Sequence, residues 1–158
     1  MTKKPKSPHQ PRPGKRPRVA HPAGIVGKQP QAIAVGSVYE LRPSWRVSSM
    51  EMVDRFGWHG IEPDKLREVR SKLGQFETMS WREILLDSKK QNHSVDVDKL
   101  ILHAQRWLED HKYLEERLVS LRLSGRERIW GYLAEHGVMV VLWWDPDHEV
   151  CPSLLKHT

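Results

Sequence analysis

The stretch from Arg122 to His157 gathers side chains that hold anions and move protons: Arg122, Arg126, Arg128, His136, Asp145, His148, Glu149, Lys156 and His157. Arg122 and Arg128 stand at equal distances either side of Gly125. If the chain reverses there, the two-residue side-chain period of a strand points both guanidinium groups to one face. Facing like charges are unfavourable unless an anion lies between them, and a phosphate meets that need with paired, charge-assisted hydrogen bonds. The competing expectation is that Glu127, Glu135 or Asp145 pairs with the arginines in ordinary surface ion pairs. His148 and His157 are candidate general acids or bases, because imidazole titrates near neutrality. Trp143 and Trp144 are adjacent and so face opposite ways on a strand. A tryptophan beside the arginines would offer a plane for a nucleobase, worth about 1–3 kcal/mol per stacked base, unless a helix covers it. Asp145, His148, Cys151 and His157 make a poor metal set, on a proline-bounded segment with one thiol, and no metal or cofactor is expected.

Those residues need a frame. Val119, Leu121 and Leu123 alternate with Leu118, Ser120, Arg122 and Ser124, which predicts a strand. Ser124-Gly125 is a turn signal, Ile129–Leu133 a second strand, Glu135-His136-Gly137 a second turn. Val138–Trp144 is apolar on both faces and predicts a central strand, stopped at Asp145-Pro146. Glu149–Cys151 is expected to form a last short strand. Upstream the period is helical. Pro63 opens a helix carrying Leu66, Val69 and Leu73, with Gly74 as its cap. Ser80-Trp81-Arg82-Glu83 is a capping-box pattern. A polar connector reaches His93, and a third helix is predicted over 98–112, capped by Asp96 or Asp98, with Leu100, Ile101, Ala104, Trp107 and Leu108 on its apolar stripe. Val38, Tyr39 and Leu41 predict a short extended segment ended by Arg42-Pro43, and Ser48 or Ser49 a cap for a short helix over 50–56. Helices followed by an antiparallel meander give an α+β fold.

Composition sets the outer limits. Of the 26 basic residues, eight lie in residues 1–30, which hold no acidic residue and seven of the eleven prolines. Such a stretch cannot bury enough apolar surface to offset its ordering entropy, so a disordered basic tail over 1–30 is expected, followed by one domain over 31–158. The tail's Lys15, Arg16 and Arg18 form an electrostatic arm for nucleic acid or a localisation signal, or merely aid solubility. The longest apolar run, Val138–Trp144, is too short to span a bilayer, and the first residues lack the apolar stretch of a secretory signal. A single cysteine excludes an internal disulfide and an all-cysteine zinc site, and fits a cytoplasmic location.

Residues Arg122–Gly131 (RLSGRERIWG), followed by a hydrophobic strand and Trp143–Val150 (WWDPDHEV), resemble the RelE/HigB-type toxins, small α+β ribonucleases of bacterial toxin–antitoxin systems. The likeness covers residues 98–152. It implies a RelE-like fold and metal-independent cleavage of RNA, often of messenger RNA on the ribosome, by attack of a 2′-hydroxyl on the adjacent phosphate. An antitoxin protein is the implied partner. Arg128 matches the family arginine that opens the strand after the central turn, and Arg122 would be a second phosphate ligand. His148 falls where some members keep a late arginine or histidine, and would transfer the proton. Arg126, Lys156 and Trp144 would add RNA contacts. Cys151-Pro152 stands where many members place a tyrosine. Two other expectations stay open: a nonenzymatic RNA- or ribosome-binding module, and a protein-interaction domain whose apolar sheet face receives a partner helix.

Overall fold

The computed structural model describes residues 36–88 and 91–152. The tail over 1–30, with Lys15, Arg16 and Arg18, and the late Lys156 and His157 lie outside them. The first strand, β1 (Ser44–Arg46), begins after Pro43, and Val38–Glu40 make a 3-10 turn instead of the expected extended segment. Proline at the head of a strand has no ladder hydrogen bond to lose, so Arg42-Pro43 introduces a strand where it was expected to end one. Residues 50–56 form turns and no helix. The Glu51 carboxylate accepts the N–H groups of Val53 and Asp54 there, and the Glu51 N–H donates to the Leu142 carbonyl. Those amides are committed elsewhere.

Helix α1 (Pro63–Phe76) opens at Pro63 as expected but runs past Gly74, burying Val69 and Phe76. One exposed glycine in a helix costs about 1 kcal/mol, less than the roughly 1.5–3 kcal/mol from burying a phenylalanine. The capping box forms reciprocally, Ser80 N–H to Glu83 Oε2 at 2.7 Å and Glu83 N–H to Ser80 Oγ at 3.3 Å. The short helix behind it widens over Glu83–Asp87 and buries Ile84 and Leu85. The polar stretch beyond is no simple connector, because its end is β2 (His93–Asp96). Helix α2 (Leu102–Asp110) is shorter than predicted, since Val97–Lys99 form a 3-10 turn and the Ile101 amide donates to Val150 O at 2.9 Å.

Strands β3 (Arg117–Arg122), β4 (Arg128–Leu133) and β5 (Val138–Asp145) make the expected meander. Its turns use Gly125 at φ +51° and Gly137 at φ +76°, a backbone region that glycine enters without strain. The sheet has five strands in the order β1-β5-β4-β3-β2. It is mixed, because β1 pairs parallel with β5 while the other pairings are antiparallel. The fold is therefore α+β on a larger sheet than the meander alone. Glu149–Cys151 adds no strand: the amides of Glu149 and Val150 donate to the Asp145 carboxylate and cannot join a ladder.

Each face of the sheet carries a core. Leu118, Trp130, Val140 and Trp143 pack under Ala104, Trp107 and Leu108 of α2. Val119, Leu121, Ile129 and Val141 pack against Val69 and Phe76 of α1. The apolar sheet face expected to receive a partner helix is thus already covered by the chain's own helices. Between β4 and β5 the register skips Leu142, for Trp130 pairs with Trp143 and Gly131 with Val141. This bulge reverses the alternation beyond it, so that Trp143 joins the α2 side and Trp144 the α1 side. The extra residue's carbonyl accepts Glu51 N–H at 2.9 Å and Trp58 Nε1–H at 3.1 Å. Gly131 is required there, since a Cβ would meet Val140 O at 2.1 Å. Among the described residues no helix is long and apolar enough to cross a membrane.

Candidate anion-binding site

The turn at Gly125 sets the geometry at the end of the sheet. Arg122 of β3 lies directly opposite Arg128 of β4, and Arg128 opposite Asp145 of β5. One step inward, His93 of β2 faces Ser120, which faces Trp130. By strand alternation, all of these share the face that α2 covers farther along. Asn92, itself buried, fixes His93 in this array, because its Oδ1 accepts the Arg122 N–H at 2.8 Å and its Nδ2 donates to Ser88 Oγ.

The two arginines converge on one acceptor. Arg122 Nε and Arg128 Nη1 each donate to the Gly125 carbonyl at 3.2 Å, and Arg128 Nη1 also donates to Glu127 O at 3.0 Å. Arg128 is only 8% exposed, yet its Nε has no hydrogen-bond partner. Among the described residues no carboxylate forms an ion pair with either group. Glu127 pairs with Lys65 at 2.8 Å and Glu135 with His136, while Asp145 accepts Trp130 Nε1–H and two backbone amides. Desolvation, and then the charge of Arg122, hold the Arg128 guanidinium below its usual pKa, with Asp145 opposing. The Ser120 hydroxyl is fully buried and also without a partner. Two convergent guanidinium groups with an orphaned buried N–H are the donor set that an anion's oxygens would require.

His148 stands beside them on the turn after β5. Its backbone is left-handed at φ +60°, a conformation that holds only where surrounding bonds impose it. Asp145 imposes it here, its two oxygens accepting Glu149 N–H at 2.9 Å and Val150 N–H at 3.0 Å. Desolvation and then Arg128 push the His148 pKa below the ordinary imidazole value, and His93 adds to the shift. His93 is lowered by the same two causes, desolvation and Arg128. Both rings are therefore neutral near pH 7 and lie within electrostatic reach of the buried arginine. Sequence reasoning missed His93. The signal was its place after Asn92 before a Ser-Val-Asp run, too short to show alternation.

The two imidazoles also line a hollow of about 620 Å³, together with Lys99, Ile101, Cys151 and Pro152. The arginines sit next to this hollow and not in its wall. Arg126 is exposed in the turn between β3 and β4. Trp144 is on the wrong side for the RNA contact expected of it, packing with the α1 core. Trp143 is on the arginines' side but buried against Trp107 and Phe56, so neither offers a free stacking plane. Among the described residues no group of three His, Cys, Asp or Glu side chains converges as metal ligands. No family model, curated protein or solved structure matches the chain.

Proposed function

We propose that the protein is a metal-independent endoribonuclease of the RelE/HigB toxin type, with Arg122 and Arg128 holding the scissile phosphate and His93 and His148 transferring the protons. The observation that carries this reading is the arginine pair, converging without a carboxylate ion pair beside two imidazoles whose pKa values are lowered. One neutral ring takes the proton of the 2′-hydroxyl as its oxygen attacks the adjacent phosphorus. The other, protonated, gives its proton to the departing 5′-oxygen, leaving a 2′,3′-cyclic phosphate and a 5′-hydroxyl. The guanidinium groups meet the charge that builds on the phosphoryl oxygens. The incoming phosphate itself favours protonation of a ring, because a nearby negative charge stabilises imidazolium. Messenger RNA on the ribosome as target, and an antitoxin as partner, are the parts of this proposal that come from the family resemblance.

A nonenzymatic RNA-binding module is the second reading, favoured by the depressed pKa of both rings, which leaves little imidazolium to act as the acid. RNA cleavage in EDTA separates the two. The nuclease requires activity that survives chelation and falls about a hundredfold or more in both His93→Ala and His148→Ala, with RNA binding retained. Intact RNA, bound in an Arg128-dependent way, selects the module.

A further inference from the structure

The hollow beside the arginines is far larger than a phosphate and has different walls. Ile101 and Pro152 are apolar, the His93 and His148 imidazoles add two flat polar groups, and Lys99 lines it too, with its ammonium held to Asp96 at 2.9 Å. A cavity of about 620 Å³ lies in the range of small-molecule sites, which combine apolar walls with a few polar groups that fix orientation. His93 and His148 link it to the arginines, since both line the hollow and both feel the charge of Arg128.

We propose that this hollow is a nucleoside subsite, which takes the base and sugar attached to the phosphate held by Arg122 and Arg128 in a single-stranded RNA segment. The inference rests on the phosphodiester reading above and adds what lies beyond the phosphate. A flat base stacks on imidazole rings and covers Ile101 and Pro152, a means of holding unpaired RNA that does not depend on sequence. An acidic peptide also carries anions, but has no flat apolar surface to leave against these walls.

The chain supplies its own reporter. Cys151 is its single cysteine and lines the hollow, its Sγ donating to Lys99 O at 3.6 Å. Burial raises the pKa of this thiol, so alkylation with N-ethylmaleimide is followed at alkaline pH. Saturating adenosine 3′-monophosphate should slow labelling at least tenfold, whereas inorganic phosphate, bound at the arginines alone, should leave the rate unchanged. Protein already labelled at Cys151 should bind inorganic phosphate as before. Its affinity for the nucleotide should fall about 5- to 150-fold, the contribution of one stacked base. A labelling rate indifferent to the nucleotide, or undiminished nucleotide binding by the labelled protein, overturns the subsite. If inorganic phosphate binds and the nucleotide gains nothing over it, the subsite alone falls. If neither binds, the arginine cradle falls with it.

Discussion

Replacing Arg128 with methionine should cost the protein its function and none of its stability. The side chain is nearly all buried, its Nε–H has no partner, and Arg122 lies directly across the ladder. An unsatisfied buried N–H costs about 1–3 kcal/mol, and methionine removes it while keeping most of the buried aliphatic stem. Against this, the variant loses two hydrogen bonds from Nη1 to carbonyls of an exposed turn, which water can replace at little net change. The flanking charges Arg122 and Asp145 act in opposite senses on the guanidinium. The balance predicts that the unfolding free energy of Arg128→Met in urea equals that of the wild type or exceeds it by up to about 2 kcal/mol, at unchanged slope. RNA cleavage should fall by about 10²–10³, as when one charge-stabilising donor is removed from an active site. Sulfate at a hundred times its dissociation constant should stabilise the wild type by about 2.7 kcal/mol and the variant not at all. A loss of 2 kcal/mol or more in the variant, with sulfate stabilisation intact, would mean that Arg128 is a structural strut and that the cradle is misread.

Two further outcomes follow from the same side chains. His93 and His148 have folded pKa values below the ordinary imidazole value, so on acidification the unfolded chain takes up protons first. Stability of the anion-free protein should be constant above about pH 6.5 and fall as pH drops below it, while sulfate affinity rises over the same window. A double His93→Gln, His148→Gln variant should show neither trend in denaturation curves or titrations across pH 5–8. Asp145→Asn sets an amide NH2 against N–H donors in a fully buried place, and should lower stability by about 1–3 kcal/mol in urea. In the same variant the His148 ring resonances should move while those of His136, at the far turn, stay in place.

The meander and its turns were legible because their signals are local. The equal spacing of Arg122 and Arg128 about Gly125 fixes their pairing once the turn is recognised, and the observed register has them directly opposite. The capping box was legible for the same reason. What escaped depends on distant partners. Strand β1 has three residues, and it exists because β5 offers a free edge. Strand β2 reads as polar connector because only Val95 of its four residues is buried, so its pairing with β3 supplies what its own pattern lacks. His93 was hidden with it. Glu149–Cys151 had strand-forming composition, but a carboxylate inside the fold captured its amides. The faces of Trp143 and Trp144 required the skipped residue in β5, which no alternation pattern announces.

That skipped residue has a further consequence. Taken into the ladder in even alternation, Leu142 would carry Asp145 to the α1 side of the sheet, and the turn bearing His148 would leave from the wrong face. Deleting the residue would instead keep every pairing as it is, because Trp143 would follow Val141 in register, but would remove the carbonyl that the Glu51 amide and the Trp58 indole share. The position tolerates exchange of one apolar residue for another far better than a change of length. Relatives of this chain should accordingly vary in what stands at 142 but hold the count of residues between Gly131's partner and Asp145 constant.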